Sequence, residues 1–177
     1  MKTKIITTIL DDQISMRSII LSDIEYLRVW KNTHKEFFFY KNEIEKEAQL
    51  NWYNQYSLKN NDDMFIIENS NEKIGCIGVR LFQEFADIYN VILGNKAYKG
   101  KHIMTSAMGA TIALCSLMYK NVPVRVRVLK NNPAITWYQK IGFVPMDNSE
   151  DYLLMEYRNN TFRKKYTVKL EIELPNY

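Results

Sequence analysis

The sequence predicts an α+β fold, an α/β sandwich in which helices cover one central sheet. Two observations support this: the segments run in the order β-α-α-β-β-β-α-β-α-β-β, and one helical segment is apolar over most of its surface, so it must pack against a sheet. A third is size, because 177 residues with 46% hydrophobic side chains, 4 prolines and no internal repeat are typical of one domain. We therefore treat residues 1–177 as a single domain.

The first two predicted helices follow a short strand. Residues 14–20 are apolar and predict that strand, and Ser22 followed by Glu25 matches a capping box, so a helix should begin at Ser22. A second helix is indicated by apolar and aromatic residues that recur every four positions, and this helix should end near 60–63. The buried side of the first helix is predicted to contain Ile24, Leu27 and Trp30. The stripe of the second helix consists of Ile44, Ala48, Trp52 and Tyr56.

The middle of the chain predicts three antiparallel strands followed by the apolar helix. The segments 64–68, 73–82 and 86–93 are rich in β-branched and apolar residues and are separated by turn residues. A loop at 94–101 leads into a helix at 103–118 that carries two neighbouring apolar stripes. This helix should lie deep against the sheet.

The last third predicts a strand at 122–128, a helix, and two further strands. Asn132 offers an N-cap with Pro133 at the first helical position, and Gly142 ends that helix. Strands follow at 152–157 and, as an extra C-terminal element, at about 163–174, where apolar and polar residues alternate. We expect the last strand to pair next to 152–157. The alternative is that the free edge or the apolar face of this C-terminal strand contacts a second copy of the chain in a homodimer.

Charge and cysteine content exclude several classes of function. The 24 Lys and Arg residues against 20 Asp and Glu give a net charge of +4 that is spread along the chain, so we expect no nucleic-acid partner. Cys76 and Cys115 lie in apolar segments without metal-ligand spacing, so they are predicted to be reduced core residues and no metal is expected. The apolar runs at 5–10 and 108–119 are too short for a secretion signal or a membrane span, which predicts a cytoplasmic protein without a membrane partner.

The loop at 94–104 (GNKAYKGKHIM) has the features of a phosphate-binding loop. It is basic, contains glycine, and lies between a strand and a helix, where backbone N–H groups and the helix dipole favour an anion. It is not a nucleotide P-loop, because five residues separate Gly94 from Gly100 and His102 follows Lys101 in place of Ser or Thr. It also lacks the GxGxxG of dinucleotide-binding folds.

This loop, the strand at 89–93 before it, and the string VLKNNPAITWYQKIGFV at 128–144 resemble the GCN5-related N-acetyltransferases (GNAT). In that family a Q/R-x-x-G-x-G/A loop holds the pyrophosphate of acetyl-CoA. Lys99 stands at the basic position and Gly100 at the glycine that often follows it, whereas His102 and Met104 replace the patterned glycine and the last small residue. The resemblance extends over residues 14–157 and implies a GNAT-like acyl-CoA N-acyltransferase fold, with a central mixed sheet flanked by helices.

The second string is similar to the family motif N-x-x-A-x-x-x-Y-x-K-x-G-F, matched here by Asn131, Ala134, Tyr138, Lys140, Gly142 and Phe143. The resemblance implies that Asn131 and Tyr138 contact CoA and that Tyr138 protonates the leaving thiolate; helix packing is the alternative role of Tyr138. Together the two motifs imply a cofactor site formed by Val91, Ile92, Leu93, Lys99, Gly100, Lys101, His102, Ile103, Met104, Asn131 and Tyr138.

Acetyl transfer to an amine needs a free amine, donors for the tetrahedral oxyanion, and a proton for the thiolate. The backbone N–H groups of Val91 and Ile92, if the strands splay, are the candidate oxyanion donors. Free amine in solution makes a protein base dispensable. The candidates for such a base are Asp87, Glu84 and, through water, Asn90.

The predicted function is acetyl-CoA-dependent N-acetylation of a primary amine on a small substrate. Residues upstream resemble GNAT enzymes that act on nucleotide-linked amino sugars or protein N-termini, namely Trp30, Asn32, Gln49 and Trp52. The alternatives are acetylation of a protein N-terminus or a polyamine, and a catalytically silent module that binds an acyl-CoA. Arg125 and Arg127 alternate with valine and are predicted to form a solvated strand face.

Overall fold

The structure is a computed structural model that describes residues 4–9, 14–118, 122–159 and 168–173. These residues form nine strands and four α-helices: β1 (Lys4–Ile9), β2 (Ile14–Ser18), α1 (Ile24–Thr33), α2 (Lys46–Ser57), β3 (Asp62–Asn69), β4 (Glu72–Leu81), β5 (Ala86–Leu93), α3 (Ile103–Met118), β6 (Val124–Leu129), α4 (Ala134–Ile141), β7 (Phe143–Asn148), β8 (Tyr152–Tyr157) and β9 (Val168–Glu173).

All nine strands belong to one sheet, in the order β7-β8-β6-β5-β4-β3-β2-β1-β9. Every neighbouring pair is antiparallel except β5 and β6, which are parallel. A parallel pair needs a long crossover, and α3 supplies it. The predicted α/β sandwich with a central mixed sheet is therefore confirmed.

Helices pack on both faces of the sheet and form two core clusters. On one face α3 contributes Ile103, Ala107 and Met108, which pack on Phe65 and Ile77 of the central strands. On the other face the aromatic and aliphatic residues of α1 and α2 pack on alternate strand residues, namely Leu27, Trp30 and Tyr56 on Met64, Ile66, Cys76 and Ile92. The deep packing predicted for the apolar helix is confirmed, and so is the burial of both cysteines, which are free thiols.

The C-terminal strand does not lie where the sequence placed it. We expected it beside residues 152–157, but β9 pairs antiparallel with β1 at the opposite edge, with Val168 across from Ile9 and Glu173 across from Lys4. The rest of the predicted 163–174 strand lies outside the described residues. The position beside β8 is taken by β7, an unpredicted strand that contains Pro145 and carries a bulge after it. An edge strand tolerates this proline because its missing N–H falls on a disrupted stretch of the ladder.

The start of the first helix also differs from the prediction. Ser22 lies in the 3-10 turn Leu21–Asp23, and α1 begins at Ile24. The capping carboxylate is Asp23, whose Oδ2 accepts a hydrogen bond from the backbone N–H of Ile20 at 2.8 Å. Glu25, the predicted partner of Ser22, forms an exposed ion pair with Arg28 at 2.7 Å. A buried carboxylate one residue away therefore replaces the predicted capping box.

Asp23 is fully buried and anchors α1 to the sheet. Arg17 of β2 donates to its two carboxylate oxygens at 2.6 and 3.0 Å, and Lys73 of β4 lies 2.7 Å away. Burial alone would raise the pKa of Asp23, but the hydrogen bonds from Arg17, Lys73 and the Ile20 N–H outweigh it and hold the pKa below its ordinary value. The N-terminus of α1 is thus held by charge as well as by packing.

The other helix boundaries follow the prediction more closely. In α2, which starts at Lys46, Tyr56 of the predicted stripe is buried and Trp52 is half-buried, whereas Ala48 is exposed and its neighbour Gln49 is buried in its place. The Asn132 side chain accepts from the N–H of Ala134 at 2.9 Å and so caps α4 as predicted. Gly142 ends α4 with a φ of 108°. No helix of the described residues is long and apolar enough to span a membrane.

Candidate active site

Strands β5 and β6 diverge in the middle of the sheet and leave a cleft. Their parallel pairing covers only the first three residues of each strand and ends at Ile88 and Val126. On its other side β5 contains a bulge, because Tyr89 pairs with Gly78 and Ile92 with Cys76, so that two residues face one. Asn90 in this bulge has a φ of 48°. The bulge redirects the second half of β5 just where the strands separate.

The cleft has a volume of about 980 Å³, within the range of small-molecule and cofactor sites. Its walls come from α1, the segment after α1, β5, the first turn of α3, the end of β6, and α4. The residues that the sequence predicted and that line this cleft are Asp87, Asn90, Val91, Ile92, Leu93, Lys99, Met104 and Tyr138. Most of the predicted cofactor and catalytic residues are thus brought together.

At one end of the cleft, the loop after β5 leads into the N-terminus of α3. Gly100 has a φ of 81° and His102 a φ of 60°, both in the left-handed region. The carbonyl of His102 accepts from Thr105 and Ser106 at 2.9 and 3.0 Å, so His102 is the N-cap of a helix of 16 residues. The first-turn N–H groups of such a helix attract an anion, and Lys99 lies beside them in the cleft wall.

His102 stands where the family pattern has glycine. Its left-handed backbone conformation explains why glycine is favoured at this position. A left-handed φ strains a residue with a Cβ, and the cost is on the order of 1 kcal/mol. The side chain itself is exposed and outside the cleft wall, as is Lys101, whose ammonium lies 4.7 Å from the centre of the Tyr98 ring. Neither side chain therefore lies in the cleft wall, where the sequence predicted them.

Tyr138 on α4 lines the opposite wall of the cleft. Its ring packs edge-on against Trp137 and Phe143, with centroids 4.9 and 5.5 Å away. Burial raises the pKa of Tyr138, which keeps the phenol protonated. Trp137 donates from Nε1 to Thr105 Oγ1 of α3 at 3.0 Å and so ties the two walls together. The phenol is in the protonation state that a general acid requires.

Asn131 and Glu84 are not brought into the cleft. Asn131 is exposed and its Nδ2 donates to the carbonyl of Glu36 at 3.4 Å, while the next residue, Asn132, lines the cleft. Glu84 is exposed in the turn between β4 and β5. Of the predicted carboxylates only Asp87 faces the cleft, where burial raises its pKa, partly offset by Arg127 and Arg80.

Asp87 belongs to a row of alternating charges across five neighbouring strands. The members are direct cross-strand neighbours on β3, β4, β5, β6 and β8, namely Asp62, Arg80, Asp87, Arg125 and Glu156. Arg80 and Asp62 lie 2.9 Å apart, and Arg125 and Glu156 lie 3.0 Å apart. We call this set the charge row.

The charge row corrects the prediction of a solvated arginine face on β6 for Arg125, which is largely buried and pairs with Glu156. Arg127 is exposed as predicted, and it also lines the cleft with its Nη2 3.4 Å from Asp87 Oδ2. Solvent-facing alternation and an alternation of ion-paired residues give the same period-two pattern, so the pattern alone does not separate them.

Sequence analysis also missed Arg80 and Tyr89. The Arg80 guanidinium lies 4.5 Å from the centre of the Tyr89 ring, and the Tyr89 hydroxyl donates to Asp62. Gly78 makes room for this ring, since a Cβ there would be 2.6 Å from it. A charged residue inside an apolar strand, as in IGVRL, is the signal that marks Arg80.

The profile of the acetyltransferase (GNAT) domain family matches residues 13–144, well over half of the chain. The chain belongs to the GNAT family. Among curated proteins, no sequence matches this GNAT protein significantly. The match begins one residue before β2 and ends in β7, so it contains both motifs and most of the residues that line the cleft.

Solved structures share the fold at low sequence identity. A domain from Methanocaldococcus jannaschii is 23% identical, covers 81% of this chain and 96% of its own, and has a TM-score of 0.70. FdhC, a nucleotide-linked sugar GNAT in its apo form, is 16% identical, with coverages of 86% and 90% and a TM-score of 0.73. The Vibrio cholerae spermidine N-acetyltransferase in complex with CoA and spermine is 18% identical, with coverages of 85% and 98% and a TM-score of 0.69.

Membership of the GNAT family makes this chain an acyltransferase of a family that uses acetyl-CoA. The residues present fit that cosubstrate, because the cleft is long, one end is formed by the N-terminus of α3, and Lys96 and Lys99 supply positive charge there. Within the described ranges, no group of three His, Cys, Asp or Glu side chains is placed to hold a metal ion.

Proposed function

We propose that this GNAT protein transfers the acetyl group of acetyl-CoA to a primary amine of a small substrate. The observation that carries the proposal is the cleft between the diverging β5 and β6, with a helix N-terminus at one end and the protonated Tyr138 in its wall. One cosubstrate molecule bound in such a cleft would contact an anion site, backbone N–H donors and a general acid.

The cosubstrate is proposed to bind with its pyrophosphate at the first turn of α3. The N–H groups of Ile103 and Met104 have no acceptor within the helix, and Lys99 adds a positive charge. The thioester would then lie along the second half of β5. Val91 and Ile92 line the cleft there, and their backbone N–H groups are the proposed donors to the carbonyl oxygen.

In the proposed reaction the amine nitrogen attacks the thioester carbonyl carbon, and the C–S bond breaks as the tetrahedral oxyanion collapses. The thiolate takes its proton from the Tyr138 hydroxyl. The proton of the amine goes to water or to Asp87, whose raised pKa suits it to accept one. An amide and free CoA are the products, and the Tyr138 phenolate regains a proton from solvent, which receives the proton that the amine lost.

The charge of the cleft supports an anionic substrate, a nucleotide-linked amino sugar in particular. Among the described residues, five cationic side chains line the cleft, namely Lys31, Arg80, Lys96, Lys99 and Arg127. Arg80 is paired with Asp62 and Arg127 with Asp87, which leaves the three lysines as the unneutralised charge. Part of this charge matches the phosphates of CoA, and the remainder favours a second phosphate-bearing ligand. A polyamine carries several positive charges and would be repelled by the same residues.

An assay that traps the released CoA thiol tests the proposal. With acetyl-CoA present, we expect turnover with UDP-glucosamine to exceed turnover with spermidine or with a peptide that has a free N-terminus. Faster turnover with spermidine or the peptide would instead assign polyamine or protein N-terminal acetylation. No thiol release with any of these amines, while calorimetry shows CoA binding, would make the chain a silent acyl-CoA-binding module.

A further inference from the structure

A second, smaller pocket adjoins the cleft on the face of the sheet that α1 and α2 cover. We call it the side pocket. It has a volume of about 260 Å³ and shares Lys31, Tyr40, Trp52, Asn90 and Ile92 with the cleft. The side pocket is therefore open to the part of β5 where the thioester is proposed to lie. Its lining comes from α1, α2, the segment between them and the strands, and no residue of α3 contributes to it among those described.

Most of the side pocket is apolar, but it contains an unpartnered amide. Gln49 on α2 is only 7% exposed and lines the pocket. Within the part of the chain that the structure describes, its side chain has no hydrogen-bond partner. The amide atoms of Gln49 are not sealed inside the protein, since the residue lines the pocket, so a ligand or a water molecule there can complete their hydrogen bonding.

Lys31 lies between the side pocket and the cleft. Its ammonium is 5.3 Å from the centre of the Phe38 ring, and no carboxylate of the described ranges lies within ion-pair distance of it. Burial lowers the pKa of Lys31, and the neighbouring Arg80 lowers it further. Arg80 is already paired with Asp62, so among the described residues Lys31 is the one of these two cations that lacks a counter-ion, and an anionic ligand would supply it.

Trp52 provides the remaining element of the site. Its ring lines both cavities and stacks on Tyr56 with a centroid distance of 5.2 Å, which holds it in place. A fixed indole face packs well against the apolar face of a sugar ring, and a nearby amide bonds to the hydroxyl groups at the ring's edge.

We propose that the side pocket binds the sugar of a phosphorylated amino sugar, with Trp52 against the ring, Gln49 bonded to a hydroxyl group and Lys31 paired with the phosphate. The acetylation of this sugar rests on the proposed function, whereas the binding of the sugar does not. This assignment makes Lys31 a specificity-determining residue, because it is the one Lys or Arg of the described residues that lines the side pocket.

The test compares glucosamine 1-phosphate with glucosamine as acceptors for Lys31→Met and Lys31→Arg. Wild-type protein should show a lower KM for the phosphorylated amine. Lys31→Met should raise that KM by about tenfold or more and leave the KM for glucosamine and both kcat values nearly unchanged, because an ion pair to phosphate is lost. Lys31→Arg should restore most of the preference. Lys59→Met, an exposed cation after α2 and outside both cavities, is the matched control.

Calorimetry with glucosamine 1-phosphate on CoA-saturated protein separates this assignment from the proposed function. Binding that weakens in Lys31→Met and in Gln49→Leu supports the site even if no acetylation occurs. The proposal is overturned if wild-type protein binds the two sugars equally, or if Lys31→Met weakens both to the same extent. A circular dichroism spectrum and melting temperature equal to wild type will verify that each variant is folded.

Discussion

Replacing the buried Asp23 by Asn should destabilise the protein strongly, although the two side chains have the same shape. Asp23 accepts from Arg17 at 2.6 and 3.0 Å, from Lys73 at 2.7 Å and from the N–H of Ile20 at 2.8 Å. An amide keeps one acceptor oxygen, but it removes the negative charge and turns an NH2 group toward two cations.

The magnitude follows from what each cation retains. Arg17 keeps its second partner, Glu68, at 2.8 Å, whereas Lys73 loses the carboxylate that it contacts and is only 21% exposed. Removing one partner of a buried ion pair costs 3–5 kcal/mol, and because Arg17 remains paired we expect the lower end, about 3 kcal/mol. For a chain of this length that corresponds to a fall in Tm of about 6–12 °C.

The effect should depend on pH in a defined direction. The folded-state pKa of Asp23 lies below its ordinary value, so the folded protein binds fewer protons than the unfolded chain as the pH falls. The stabilisation is therefore complete above about pH 4, the ordinary pKa of Asp, and is lost as the pH falls through the folded-state value. The difference between wild type and Asp23→Asn should be constant from pH 6 to 8 and should shrink in acid.

Urea unfolding followed by circular dichroism, at several pH values, measures both quantities. Glu25→Gln is the matched control, because it removes an exposed acidic residue two positions away, and its unfolding midpoint should equal that of wild type. A wild-type midpoint for Asp23→Asn at pH 7, or a deficit that does not change between pH 7 and pH 3, would refute the assignment of the stabilisation to the Asp23 charge.

Four further variants test other parts of the structure. Lys99→Glu should weaken CoA binding by about 5–150-fold in calorimetry, the equivalent of 1–3 kcal/mol from a like-charge clash with the pyrophosphate; unchanged affinity would place the pyrophosphate elsewhere. Tyr138→Phe should lower kcat and leave CoA affinity nearly unchanged, since the proton is needed only as the C–S bond breaks; wild-type turnover would leave Tyr138 a packing residue. His102→Gly should raise or preserve the Tm, because it relieves a left-handed φ worth on the order of 1 kcal/mol; a large loss of stability would show that the side chain has a partner role. A chain that ends at Arg158 lacks β9 and uncovers β1, so its Tm should fall, and light scattering of both chains tests the homodimer, which requires a dimeric full-length chain and a monomeric shortened one.

Local sequence signals predicted the elements that surround the site. The apolar stripes of 103–118 and the Asn132 cap are properties of short segments, and each forms as predicted because its neighbours in sequence supply the interactions. The same holds for the antiparallel order of β3, β4 and β5, whose turns are short. Together these elements position the cleft, which is why the two motifs located most of the residues in its walls.

Pairing between distant parts of the chain was not predictable in the same way. The contact of β9 with β1 joins the two ends of the chain, and alternation along each strand says that a partner exists without saying which one. Residues 143–148 contain Pro145, which weakens the local signal for a strand, although the edge position of β7 tolerates a proline.

Within the site, sequence proximity gave a misleading picture of the carboxylates. Glu84 and Asp87 are three positions apart, but the first lies in a turn and the second inside β5, so only Asp87 faces the cleft. Arg80 and Lys31 were missed for the opposite reason, since they meet only after β4 and α1 pack together.

The charge row has a mechanical consequence for the cleft. It crosses the sheet at Asp87 and Arg125, one residue before the backbone pairing of β5 and β6 ends. The ion pair that crosses from β5 to β6 joins Asp87 to Arg127 at 3.4 Å, just beyond this point, and it limits how far the two strands can separate. Asp87 is almost fully buried, so dissolved salt screens this pair less than it screens a pair of surface charges. The width of the cleft is accordingly a dimension that the protein keeps when the ionic strength around it changes.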